Sequence, residues 1–140
     1  MIGKRIKSIG EIVIRVSNME TMKTFYKEIL GLELVRTSKD YVFFKIADGY
    51  GGHTQTIALF AQTNLTAFGE ELGSIDRNHS SLHHVALEID KNDYVEIVEI
   101  LNTKHIEFTE DVFEWVKWKS IFIKDPEMNI IEFVCYDADI

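Results

Sequence analysis

Three ionisable residues stand out because each falls in an apolar, β-branched run: Glu11, His84 and Glu132. Two carboxylates and one neutral imidazole would balance the charge of a divalent cation. Mixed oxygen and nitrogen donors suit iron, manganese, cobalt, nickel or zinc better than calcium. Three protein ligands would leave positions on the ion for water or substrate. Charged residues on one strand face are more often simply solvated, and no short ligand motif ties these three together. Their worth as a set therefore depends on the elements that carry them.

Side chains alternate across a strand. Gly10 to Val16 predicts a strand with Ile12, Ile14 and Val16 on one face and Glu11, Val13 and Arg15 on the other. Leu82 to Ile89 predicts a fifth strand, with Val85, Leu87 and Ile89 opposing His84, Ala86 and Glu88. Ile130 to Tyr136 predicts an eighth, with Ile131, Phe133 and Cys135 opposing Ile130, Glu132 and Val134. The uniformly apolar faces should pack against helices. The other faces would line a cleft if the sheet curves, and Glu11, His84 and Glu132 would then converge.

Between these runs the pattern repeats. Ser17 and Glu20 have the spacing of a helix capping box. Met22, Phe25, Tyr26 and Ile29 mark one helical face, and Gly31 is a natural stop. Leu32 to Thr37, Tyr41 to Ala47 and Thr54 to Ala61 read as strands, with a Gly-rich loop at 48–52 before the last. Residues 62–81 lose all periodicity and read as a linker. Then Asp90 or Asn92 caps a helix marked by Tyr94, Ile97, Val98 and Leu101. Ile106 to Thr109 and Ser120 to Ile123 read as strands, and Asp125-Pro126 starts a turn. The two halves superpose at an offset of about 73 to 74 residues. The expected fold is α+β: one domain, 1–140, made of βαβββ modules at 9–61 and 82–137. A pseudo-two-fold axis would relate them in a curved, mixed eight-stranded sheet around a cleft, with the helices outside.

The chain is 46% hydrophobic, enough for a core and against disorder. Its net charge of -8 disfavours nucleic acid and anionic membranes as partners. No run is long enough to span a bilayer. The lone Cys135 cannot form an internal disulfide, the first ten residues lack an apolar signal core, and the expected location is the cytoplasm. The Gly49–Gly52 loop lacks the following helix and lysine of a phosphate cradle.

Other residues near the expected cleft are candidates too. Arg15 and Glu88 sit four residues beyond Glu11 and His84, placed either to hold a polar substrate or to pair with each other. His53 ends the Gly-rich loop and is a candidate general base; the competing reading is an exposed loop histidine. Trp118, with Trp115, would wall a substrate pocket, or serve as core or dimer contact.

At these residues the sequence resembles a known group. The stretch Glu11 to Val35, with its Phe25-Tyr26 pair and Leu30-Gly31-Leu32-Glu33 run, resembles the opening module of the vicinal oxygen chelate superfamily. That group includes glyoxalase I, extradiol dioxygenases, fosfomycin-modifying enzymes and bleomycin-binding proteins. Leu82 to Ile89 and Lys124 to Tyr136 are similar to its fifth strand and its closing turn and strand. The resemblance implies metal ligands at Glu11, at His84 rather than His83, and at Glu132. It puts the frequent fourth ligand on Ala58, which cannot bind metal, so true glyoxalase I activity is not expected. It also puts Met128 where glycine is usual in the closing turn; either Asn129 takes the positive φ angle or the turn differs.

Two functions follow as expectations. One is a metal-dependent enzyme, of lyase or isomerase type or a dioxygenase, acting on a small substrate with vicinal oxygens. The usual dioxygenase triad has two histidines and one carboxylate, the reverse of this set. The other is a small-molecule sequestration protein of the bleomycin-resistance type. The resemblance further implies a homodimer.

Overall fold

The computed structural model describes all 140 residues, the side chain of Arg77 excepted. The chain forms two compact units, Met1–Arg77 and Asn78–Ile140. Each unit is a βαβββ module. The eight strands divide into two four-stranded mixed sheets of the same topology, β1-β4-β3-β2 and β5-β8-β7-β6.

In the first unit, β1 (Glu11–Val16) runs parallel to β4 (Thr54–Ala61), and β3 (Tyr41–Asp48) lies antiparallel between β4 and β2 (Glu33–Thr37). The expected alternation on β1 holds: Ile14 and Val16 are buried, while Glu11 and Val13 are exposed. The helix α1 (Met19–Thr24) is capped by Asn18, whose side chain accepts from the Thr21 amide at 3.0 Å, and not by Ser17. The asparagine carbonyl reaches the third helical N–H directly, so the helix starts one residue later than the capping-box spacing suggests. A π-helical turn, Phe25–Ile29, extends α1 and ends in a bond from the Leu30 amide to the Phe25 carbonyl. Gly31 then takes φ 70°, as a helix-terminating glycine does. Met22 and Tyr26 are fully buried, as are Ile57, Leu59, Val42 and Phe44 of the sheet, and Tyr26 stacks on Phe44 at 6.1 Å. Each such side chain withdrawn from water contributes about 1.5 to 3 kcal/mol.

In the second unit, β5 (Val85–Glu88) runs parallel to β8 (Ile130–Tyr136), and β7 (Trp118–Lys124) joins β8 to the edge strand β6 (Phe108–Phe113). Three expected strands change length. β5 begins only at Val85, so His84 lies just before it, outside the strand. β6 and β7 run further towards each other, ending in a tight hairpin through Glu114 to Lys117 in which Lys117 takes φ 59°. The hairpin ladder, not side-chain polarity, sets those limits: Asp111 pairs Ser120 and Phe113 pairs Trp118. Helix α2 (Tyr94–Thr103) follows a 3₁₀ turn whose Asp90 carboxylate accepts from the Asn92 amide. Tyr94 is buried on the sheet, and its hydroxyl donates to Glu110 at 2.7 Å. Burial, then that bond, push the Tyr94 phenol above its usual pKa.

The turn before β8 departs from expectation. Met128 itself adopts φ 72°, and Asn129 does not take the positive φ angle. The buried Asp125 explains how. Its carboxylate accepts from the Glu127 amide, the Asn129 amide and the Asn129 side chain, which closes the turn around residue 128. Among the described residues no helix is long and apolar enough to cross a membrane.

Candidate functional site

The two sheets keep the same register at equivalent places. Val13 lies opposite Ala58 in the first, and Ala86 lies opposite Glu132 in the second. Duplication therefore puts a carboxylate in one module where the other has a methyl group.

Glu132 is the centre of the second unit's polar site. It lies opposite Phe122 on β7, so its side chain leaves the sheet on the face away from Ile131 and Cys135. It is only 4% exposed. A carboxyl group withdrawn from water to this degree needs partners. Ser120, fully buried, donates its hydroxyl to Oε1 at 2.6 Å. His84 brings Nε2 to 3.1 Å from Oε2. The imidazole packs edge-on to the Phe122 ring, with centroids 6.3 Å apart, and stays partly open to solvent. Behind it, Nδ1 lies 2.8 Å from His83 Nδ1. One of these nitrogens donates and the other accepts, so His83 orients the His84 ring and is coupled to its tautomer.

This pair suits a cation. If His84 donates Nδ1–H to His83, its Nε2 lone pair is free and points beside Glu132 Oε2. Adjacent ligands on one ion, with bonds of about 2.1 Å, stand about 3.0 Å apart in octahedral and about 3.4 Å apart in tetrahedral geometry, close to the spacing seen. Ser120 and His83 then hold the two donors from behind, as outer partners commonly do. Within either unit, among the described residues, no three His, Cys, Asp or Glu side chains gather into a metal-binding group. The second unit brings two possible donors together.

The first unit holds Glu11, Arg15 and His53. Glu11 is exposed at the start of β1, opposite Thr56. The His53 ring lies beside the preceding residue: a Cβ on Gly10 would stand 3.7 Å from its Cε1. A carboxylate and an imidazole thus mark one end of β1. Arg15 is half-buried opposite Phe60. Ala58 is fully buried.

Glu88 is exposed at the end of β5, and Trp118 is 42% exposed between Phe113 and Tyr136. A cleft of about 490 Å³ does open in the second unit, walled by Phe108, Phe122, Met128 and Ile130 and rimmed by Lys124 and Glu107, but neither tryptophan lines it. It shares the Phe122 ring with the His84–Glu132 pair. Ser120 and Phe122 were not legible as site residues. The only signal was their alternation on a strand whose partner carries Glu132. Cys135 lies on the other face, where burial pushes its thiol up and away from nucleophilic use.

The family pattern described as Glyoxalase/Bleomycin resistance protein/Dioxygenase superfamily matches residues 8–133. The chain belongs to this superfamily. Its fold recurs in solved members and relatives. A lactoylglutathione lyase from Agrobacterium tumefaciens is 21% identical with a TM-score of 0.66, over 91% of this chain and 92% of that one. A glyoxalase/dioxygenase from Nostoc punctiforme is 18% identical with a TM-score of 0.66, over 93% and 91%. The fosfomycin resistance protein FosX from Listeria monocytogenes is 18% identical with a TM-score of 0.65, over 96% and 97%. At these identities the likeness is one of fold. Members with such different names on one scaffold leave the reaction to be argued from the site.

Proposed function

We propose that this superfamily member is a metal-dependent enzyme acting on a small substrate with vicinal oxygens. The observation that carries the reading is the His84 Nε2–Glu132 Oε2 pair at 3.1 Å, with the carboxylate buried and braced by Ser120. Glu11 is the proposed third ligand. A bound divalent ion, iron, manganese, cobalt, nickel or zinc by its donor set, would act as a Lewis acid towards two adjacent oxygens. The chain's own groups would do the rest. His53 is the proposed base, Arg15 the proposed contact for negative charge on the substrate, and Glu88 and Trp118 further substrate contacts. Ala58, where a fourth ligand would stand, argues for a lyase, isomerase or dioxygenase other than glyoxalase I.

The test is metal uptake. Chelator-stripped protein titrated with manganese, cobalt and zinc should bind one equivalent. Glu132→Gln should lose that binding while remaining folded by circular dichroism. Absence of uptake by the unaltered protein would sink the enzyme reading. The net charge of -8 favours a second reading, a protein that sequesters a cationic ligand without chemistry, in which Glu132→Gln leaves ligand binding largely intact.

A further inference from the structure

The face of the first sheet turned away from α1 carries an aromatic cluster that the metal reading does not use. Register puts Tyr41 opposite Phe60 and Phe43 opposite Ala58, so the three rings share one face. They meet one another directly. Phe43 and Phe60 are 5.8 Å apart and edge-on, Tyr41 and Phe43 are 5.5 Å apart and edge-on, and Tyr41 and Phe60 are 6.1 Å apart and tilted. All three are half-buried, whereas the aromatic rings packed under α1, Tyr26 and Phe44, are fully buried. Ring surface therefore remains open here. Ala58, fully buried between Val13 and Phe43, forms the small floor between them.

Two arginines flank the rings. Arg15 stands opposite Phe60 across β1 and β4, and Arg36 stands opposite Phe43 across β2 and β3. The Arg36 guanidinium is 5.6 Å from the Tyr41 ring centroid. Neither arginine has an ion-pair partner among the described residues. In a chain of net charge -8, two unneutralised cations beside open aromatic rings form a local site of opposite sign.

We propose that this face binds a small aromatic anion, an aryl or arylalkyl carboxylate. Its ring packs against Phe43 and Phe60, where offset and edge-on geometries are favourable. Its carboxylate meets the Arg15 guanidinium, whose planar fork matches two carboxylate oxygens. An aliphatic acid satisfies the charge and loses the ring contacts. A neutral aromatic compound keeps the ring and loses the charge. The inference deepens the functional reading above and rests on it for its catalytic meaning, since Glu11 shares this face about 13 Å along β1 from Arg15.

The experiment uses metal-free full-length protein and three probes: phenylacetate, cyclohexylacetate and 2-phenylethanol. Saturation-transfer NMR and titration calorimetry read the binding. Phenylacetate should bind at least about threefold tighter than cyclohexylacetate and about tenfold tighter than 2-phenylethanol. Arg15→Gln should weaken phenylacetate about tenfold and leave 2-phenylethanol unchanged. Phe43→Leu and Phe60→Leu, either of which suffices if the other fails to fold, should weaken phenylacetate about threefold or more. Equal binding of all three probes, or no binding of any, overturns the proposal. So does a Phe60→Leu protein that changes from dimer to monomer in sedimentation with phenylacetate binding unaltered, because a second copy of the chain would then be what covers the rings. Metal uptake measured on the same samples separates the two ideas. Uptake without phenylacetate selectivity refutes the ligand class alone, and selectivity without uptake refutes the metal reading alone.

Discussion

Replacing Ser120 by alanine tests the site at its least exposed point. The Ser120 hydroxyl is fully buried and donates at 2.6 Å to Oε1 of a carboxylate that is itself 4% exposed. The change removes one oxygen and leaves the strand and its neighbours in place. Transfer of the smaller, less polar side chain to the interior is favourable on its own, so any loss of stability belongs to the hydrogen bond. Bonds to charged groups contribute about 1.5 to 3 kcal/mol, and an acceptor left without its donor inside the protein costs a similar amount. A loss of about 2 kcal/mol is expected. For a chain of this length that lowers the melting temperature by roughly 6 to 10 °C. Scanning calorimetry at neutral pH on metal-free protein reads it directly. The second readout is metal affinity. Ser120 would hold a ligand without being one, and loss of such a partner weakens metal binding about 10- to 100-fold without abolishing it. The double variant with Glu132→Gln should show strong coupling, about 1 kcal/mol or more, because both changes act on one bond. A melting temperature within about 1 °C of the parent, together with unchanged metal affinity, would show that Ser120 does not position Glu132, and the site as described would be wrong.

Two other outcomes follow from the second unit. Met128→Gly should stabilise the protein by about 0.5 to 1 kcal/mol in chemical denaturation, because the left-handed conformation costs a non-glycine residue about 1 to 2 kcal/mol and glycine's extra chain entropy returns only part of it; a destabilised variant would mean the methionine side chain holds the turn. The C-terminal residues should loosen at both pH extremes. Lys91 Nζ binds the carboxylates of Asp137 and of Asp139, the latter at 2.8 Å, and the bonds raise the lysine pKa above 10.5 and hold Asp137 below 3.8. The depressed Asp137 contributes stability above its unfolded pKa, which is lost as pH falls through the lower folded value. The raised Lys91 contributes below its unfolded pKa, and its share is lost as pH rises through the higher folded one. The protection of residues 137–140 against hydrogen exchange, taken relative to the intrinsic rate at each pH, should therefore be greatest between about pH 5 and 9; protection that stays flat across that range and beyond would refute the clamp.

How much of this was legible in the sequence depends on the range of the forces involved. Periodicity is local, so the alternation on β1, the apolar stripe of α1 and the restart of the pattern after residue 81 could all be read directly. Glu132 was selected by the same rule, since an acidic residue between Ile131 and Phe133 must leave the sheet on the face opposite theirs. Helix and strand ends were less legible. Asn18 displaced Ser17 as the cap because one residue's difference in reach decides which side-chain oxygen meets a free amide. His84 fell outside β5 because its ladder partners on β8 begin at Ile131.

What the sequence by itself determined was the duplicated βαβββ architecture and the inequality of its halves, with a methyl group at Ala58 where the other half has a carboxylate at Glu132. Both are consequences of residue type and spacing along one chain. Only the tertiary structure decided which groups touch. Ser120 reaches Glu132 across twelve residues, His83 backs His84, and Tyr41, Phe43 and Phe60 form one cluster from two strands. Those contacts depend on which strands lie side by side, as β1 does with β4 and β5 with β8, and the choice between partners so far apart in the chain is not recorded in any local pattern.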